Sequence, residues 1–199
     1  MIDILERQEE EFKMERKVQG TVRMTVVAAM ITALTIAMGL VPGIPMILIP
    51  VPIILQNIGV MFAGEVLGAK YGTLSVAVFL LLASLGFPVL SGGHGGAAVF
   101  VGPTGGYLVA WLLAPMVINL VKKFLPSKIN SGWIGSLVSV WLGGAVFMDL
   151  FGAFWLSIFF HVPFVTAMVS SLMFIPGDTI KAILTALVAK RLKKIVHLR

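Results

Sequence analysis

Asp178 and Lys181 stand three residues apart, directly after Pro176-Gly177. On a helix, residues at i and i+3 share a face, so a carboxylate and an ammonium are presented side by side. Proline and glycine interrupt helices. A helix restarting after them offers free backbone N–H groups and the positive end of its dipole. Breaks of this kind build substrate sites near the middle of many transporters; a self-neutralising structural ion pair is the other reading of the same residues. Asp149, in Phe147-Met148-Asp149-Leu150-Phe151, is a second carboxyl in an apolar run. It reads as a further acceptor in the same cavity, as a partner for Lys181, or as a lone carboxyl held neutral. His94 lies in Ser91-Gly92-Gly93-His94-Gly95-Gly96, where glycine lets a ligand approach the backbone; it either touches that ligand or is a solvated loop residue. Glu65 and Lys70 fall at a break between apolar runs and read as interfacial.

The elements that position these groups follow from composition. Of 199 residues, 58% are hydrophobic and 12% charged, where a soluble domain carries roughly 25% charged residues. Mean hydropathy is +1.01. One small globule cannot hide that much apolar surface, so the surrounding solvent is lipid. Apolar runs occupy 24–40, 52–69, 71–88, 104–121, 133–160 and 163–189, each near or above the roughly 17–25 residues of a membrane span. Lys and Arg number five before residue 24, one in the gap at 67–70, three at 122–128 and five from residue 190 onward, and none fall at 41–51, 91–103 or 161–163. Cations concentrate on the cytoplasmic side. The alternation therefore predicts an all-α integral membrane protein of six transmembrane helices with both termini in the cytoplasm. Residues 1–23 read as a charged cytoplasmic segment, a candidate amphipathic helix at the interface. Residues 24–193 read as the membrane domain, and 194–199 as a basic cytoplasmic tail.

The same counts exclude other classes. Cysteine is absent and the three histidines are dispersed, which removes disulfide frameworks, thiolate chemistry and a histidine-rich metal site. The net charge of +6 is spent on topology and anionic headgroups rather than on nucleic acid. No phosphate-cradling Gly-Lys-Ser/Thr loop, His-Glu-x-x-His pair or Gly-x-Ser-x-Gly elbow occurs. The predicted outside loops are Pro-rich at 41–51 and Gly-rich at 86–103, which suits a pocket opening outward or ordinary connections. Ala29, Ala33 and Ala37 recur every fourth residue, a stripe along which another helix can pack closely.

Several of these stretches occur together in one family. Gly92-Gly93-His94-Gly95-Gly96 followed by Gly102-Pro103-Thr104-Gly105-Gly106-Tyr107-Leu108 resembles the signature of the BioY family, the biotin-binding S-components of energy-coupling-factor (ECF) transporters. Residues 51–56 resemble the start of that family's second helix, 85–89 the end of its third, and 174–181 its last-helix motif. The similarity runs from about residue 24 to 193 in the correct order. It implies the ECF S-component fold, with Asp178 and Lys181 touching the ligand and the Ala29, Ala33, Ala37 stripe docking on a transmembrane coupling subunit. It implies two separate ATPase subunits, a plasma-membrane location, and no cofactor or metal besides the transported biotin. The family pattern carries an aromatic residue in place of Asp149 and a smaller polar residue in place of His94.

Biotin offers two ureido N–H donors, one carbonyl acceptor, an apolar ring and a carboxylate. Asp178 is expected to accept from the ureido group and Lys181 to donate to its oxygen, with Gln56 adding a polar contact. The backbone around Gly93, with Thr104 or His94, is expected to hold the carboxylate, and Tyr107 and Trp155 to wall the ring. An S-component for another small vitamin is the near alternative. A small membrane enzyme acting on lipid, using Asp149 and Asp178 as an acid–base pair, is the alternative from another class.

Overall fold

The computed structural model describes residues 2–46, 51–130 and 132–196; residues 47–50 of the first outside loop and 197–199 of the tail lie outside it. Among the described residues there is no strand, only isolated bridges at Ile44–Ile53 and Leu90–His94. The helices are α1 (Ile2–Gly39), α2 (Gln56–Phe62), α3 (Gly68–Ser84), α4 (Ala98–Val101), α5 (Gly105–Phe124), α6 (Ser127–Asn130), α7 (Trp133–Val140), α8 (Phe147–Phe160), α9 (Phe164–Ser171) and α10 (Ile175–Val196). Two π-helical stretches, Ala63–Leu67 and Trp141–Val146, join α2 to α3 and α7 to α8.

Among the described residues, four helical stretches are long and apolar enough to cross a membrane: Glu10–Gly39, Gln56–Ser84, Gly105–Phe124 and Trp133–Phe160. Phe164–Ser171 and Ile175–Lys193, bent by 55° at their junction, pass the same test as a pair. The second stretch is not straight. Gly68 adopts φ +77° and ψ −173°, a region open essentially to glycine alone, and the chain folds back there. Two contacts prove the reversal. A Cβ on Gly72 would lie 2.6 Å from the Ala63 carbonyl oxygen, although nine residues of helix span roughly 13 Å. Gln56, where α2 begins, donates to the Val89 carbonyl just beyond the end of α3. Gly68→Ala is expected to destabilise the protein by about 1–3 kcal/mol, read as a lower unfolding temperature in detergent. The added methyl meets nothing closer than Asn119 Oδ1 at 3.7 Å, so the cost comes from the backbone rather than from crowding.

Trp133–Phe160 runs antiparallel to α5. A Cβ on Gly143 would stand 2.6 Å from the Ile118 nitrogen, one on Gly152 would strike the Tyr107 ring, and one on Gly106 would strike Trp155. Glycine thus lets α8 and α5 approach along their whole length. Apolar residues divide by face. Val76, Phe79, Leu80 and Ala83 of α3 are buried, while Leu74, Val78, Leu81 and Leu85 are exposed, the pattern of a helix between a protein core and lipid.

α1 carries the charged segment and the first apolar run together. It is one uninterrupted helix from Ile2 to Gly39, so no backbone break separates the charged segment from the membrane part. A helix of 38 residues rises ~57 Å, far more than a ~30 Å hydrocarbon layer.

Glu65 is also other than expected. It is buried, and its carboxylate meets Lys122 Nζ of α5 at 2.7 Å and Lys193 Nζ of α10 at 2.7 Å. Ser136 of α7 donates to it at 2.5 Å. A buried charge requires partners, and here four helical segments supply one acid and its three donors. The cluster ties them together at the Gly68 end of the bundle.

Candidate ligand-binding site

At the opposite end lies a cavity of about 290 Å³, at the lower edge of the roughly 300–1,000 Å³ usual for small-molecule sites. Its polar groups come from distant parts of the chain. Asp178 and Lys181 project from the first turns of α10, Asp149 from α8, Tyr107 and Trp111 from α5, and Asn57 from α2. Ile53, Leu90, Leu108 and Phe174 are among the apolar side chains that complete the wall.

Lys181 Nζ and Asp178 Oδ1 are 2.5 Å apart, and the two residues are 6% and 2% exposed. Lys181 therefore pairs with Asp178 rather than with Asp149, and the pair is set in the wall of the cavity. Asn57 Nδ2 lies 3.2 and 3.1 Å from the two oxygens of Asp178. The Trp111 indole N–H donates to Asn57 Oδ1 at 3.1 Å, which sets the amide's orientation. Trp111, Asn57, Asp178 and Lys181 form one chain of hydrogen bonds across three helices. Such a network holds a buried carboxylate in a single geometry.

The α10 terminus departs from expectation. The helical bend falls at residues 172–174, ahead of Pro176-Gly177, with Pro176 in the first turn where its missing N–H is harmless. The amide hydrogens of Ile175 and Asp178 go to the carbonyls of Leu172 and Phe174. The preceding turn takes them, so they do not point at a ligand.

Gln56 lines the cavity, but its amide is committed. Nε2 donates to the carbonyls of Thr35 at 3.1 Å and Val89 at 2.9 Å, and Oε1 accepts from the Ser91 amide at 2.8 Å. It pins α1 and the glycine loop to α2. Successive residues on a helix point about 100° apart, so Asn57, which sequence reasoning passed over, reaches the Asp178 pair instead. A second amide in an apolar span was the available signal. Trp111 was missed as well, and it lines the cavity where Trp155 does not. The Trp155 indole donates to the Gly102 carbonyl at 2.9 Å and packs on Gly105 and Gly106.

His94 and Thr104 line the cavity, and His94 is exposed. Gly93, with φ +75°, is not among the lining residues. The amide hydrogens of Gly92, Gly93 and Gly96 bond to the carbonyls of Gly39, Leu90 and Ala83. The loop's glycines thus shape it and fasten it to α1 and α3, and these three amides are spent. Tyr107 OH lies 3.3 Å from Ser171 Oγ, and its ring meets Phe174 edge-on at 5.9 Å. Ala29, Ala33 and Ala37 are all exposed on the outer face of α1. Among the described residues, no group of three His, Asp or Glu side chains is placed to hold a metal ion.

Comparison with known proteins agrees along almost the whole chain. A biotin transporter BioY of Lactococcus lactis subsp. cremoris is 51% identical over 167 residues, covering 84% of this chain and 88% of that protein. A biotin transporter BioY of Thermotoga maritima is 38% identical over 173 residues, covering 87% and 97%. A crystal structure of the S-component for biotin from an ECF-type ABC transporter superimposes with a TM-score of 0.81 at 51% identity, covering 87% of this chain and 92% of that one. With the model of the BioY family matching residues 10–198, the chain belongs to the BioY family.

Proposed function

We propose that this protein is the biotin-binding S-component of an ECF-type importer, a capture subunit in the plasma membrane without chemistry of its own. The observation that carries the reading is the buried Asp178–Lys181 pair, held by Asn57 and Trp111 in an apolar, aromatic-walled cavity. A cyclic urea presents N–H donors beside a carbonyl oxygen. Asp178 accepts from an N–H. Lys181, which has three donors, turns one to the carbonyl. Tyr107, Trp111 and Phe174 face the ring system, and the carboxylate tail extends toward His94 and Thr104 near the loop. Gln56 and the loop around Gly93 shape that end of the site through the bonds they make within the protein. The relatives in this family are named as biotin transporters, which favours uptake over lipid chemistry.

In this reading the chain crosses the membrane six times, with both termini in the cytoplasm. The reversal at Gly68 supports six, because it divides Gln56–Ser84 into two antiparallel arms. The cation distribution supports the orientation, and so does the position of the Glu65 cluster at the end opposite the cavity. The partners are a transmembrane coupling subunit, approaching the exposed Ala29, Ala33 and Ala37, and two ATPase subunits that supply the nucleotide chemistry this chain lacks. The membrane domain comprises 24–193, with the charged helical extension before it and the basic tail after it on the cytoplasmic side.

The test is equilibrium binding of labelled biotin to the purified chain in detergent, with riboflavin and thiamine as competitors. Saturable one-site binding that only biotin displaces is expected. Displacement by another vitamin, or no binding by folded protein, returns the ligand to open choice within the same fold.

A further inference from the structure

Asp149 takes no part in the pairing described above. It is 5% exposed and lines the same cavity as Asp178 and Lys181. Its Oδ2 has no hydrogen-bond partner among the described residues. A buried carboxylate without donors is costly, and two carboxylates in one apolar cavity with a single ammonium disfavour each other's charge. The donors are shared unequally. Asp178 receives Lys181 and Asn57, while Asp149 Oδ2 receives no donor from the described residues. A protonated carboxyl has an O–H donor beside a carbonyl acceptor. A cyclic urea has the complementary edge, an N–H beside a C=O, on each side of its carbonyl.

We propose that Asp149, as the neutral acid, recognises the second N–H and carbonyl edge of the cyclic-urea ligand while Asp178 and Lys181 hold the first, which makes ligand binding depend on a proton. The proposal rests on the biotin reading above. The charged and titratable groups lining the cavity from the other elements are Asp178 and Lys181 of α10, Tyr107 of α5 and His94 of the glycine loop. Loss of the Asp149 proton removes the O–H donor and sets a second negative charge against Asp178 and against the ligand's own carboxylate. Binding therefore weakens as pH rises.

The experiment is labelled-biotin binding to the full-length chain in detergent, from mildly acidic to mildly alkaline pH, for the parent protein, Asp149→Asn and Asp149→Leu. A carboxamide keeps one donor beside one acceptor but has no proton to lose. The parent is expected to weaken with rising pH. Asp149→Asn should bind within about tenfold of it without that slope, and Asp149→Leu should bind about a hundredfold more weakly. His94 is unchanged in all three proteins, so differences among the profiles arise at position 149. The proposal is overturned by an Asp149→Leu protein that binds as tightly as the parent, by an Asn variant as weak as the Leu variant, or by an Asn variant that keeps the parent's pH slope. A parent protein that binds no biotin at any pH overturns the biotin reading itself, a result distinct from all of these.

Discussion

Asp178→Ala is expected to weaken biotin binding by a hundredfold or more while the protein remains folded in detergent. The carboxylate accepts from Lys181 and from Asn57, and in the binding reading from the ligand. Truncation leaves the Lys181 ammonium, 6% exposed, without a counter-charge, and the Asn57 amide without an acceptor. Removing one partner of a buried pair costs about 3–5 kcal/mol, and a tenfold change in affinity corresponds to about 1.4 kcal/mol. Stability and binding separate in the double variant. Asp178→Ala with Lys181→Met removes both charges, and its unfolding temperature should recover toward that of the parent. Its biotin affinity should not recover, because both contacts to the ureido group are gone. Thermal unfolding and labelled-biotin binding on the same preparations read the two effects. A single Asp178→Ala protein that binds biotin with unchanged affinity would remove Asp178 from the site.

The second large effect lies at the other end of the bundle. Glu65→Ala should lower stability by about 3–5 kcal/mol, because Lys122 and Lys193 then face each other with no acid between them. Ser136 loses its acceptor as well. The Lys122 side chain is 17% exposed and that of Lys193 is 35%. Lys193→Ala should therefore cost far less, about 1 kcal/mol or below, and its effect should shrink further in salt. Biotin affinity of the Glu65→Ala protein that stays folded should match the parent, since no residue of the cluster lines the cavity. Unfolding temperatures in low and high salt, with binding measured below the transition, test both halves. Equal losses for Glu65→Ala and Lys193→Ala would contradict a burial-driven cluster.

Glu65 also marks where reading the chain residue by residue falls short. Its position beside Gly68 and Lys70 at a break between apolar runs looks interfacial, yet it is among the most enclosed acids in the structure. Its partners are 57 and 128 positions away in sequence, and no local pattern announces them. Gln56 and Asn57 make the same point at the cavity. Both are amides at the start of α2, and one helical step decides that Gln56 fastens a loop while Asn57 orients a carboxylate. The glycine loop invited the idea of an amide cradle, but three of its N–H groups are used to fasten it to neighbouring carbonyls.

What the sequence determined by itself rests on solvent and on short-range geometry. Too much apolar surface for one globule requires lipid, and the i, i+3 spacing of Asp178 and Lys181 makes a pair on any helix. These consequences need no knowledge of neighbours. Tertiary structure decided the rest: that Asp149 enters the same cavity as that pair, that Asn57 and Trp111 brace it, and that Glu65 collects two lysines and a serine. Each of these depends on the rotation and register of one helix against another. Close glycine contacts set that register, as where Gly143 meets Ile118 and Gly152 meets Tyr107, because packing at van der Waals distance admits few alternative alignments.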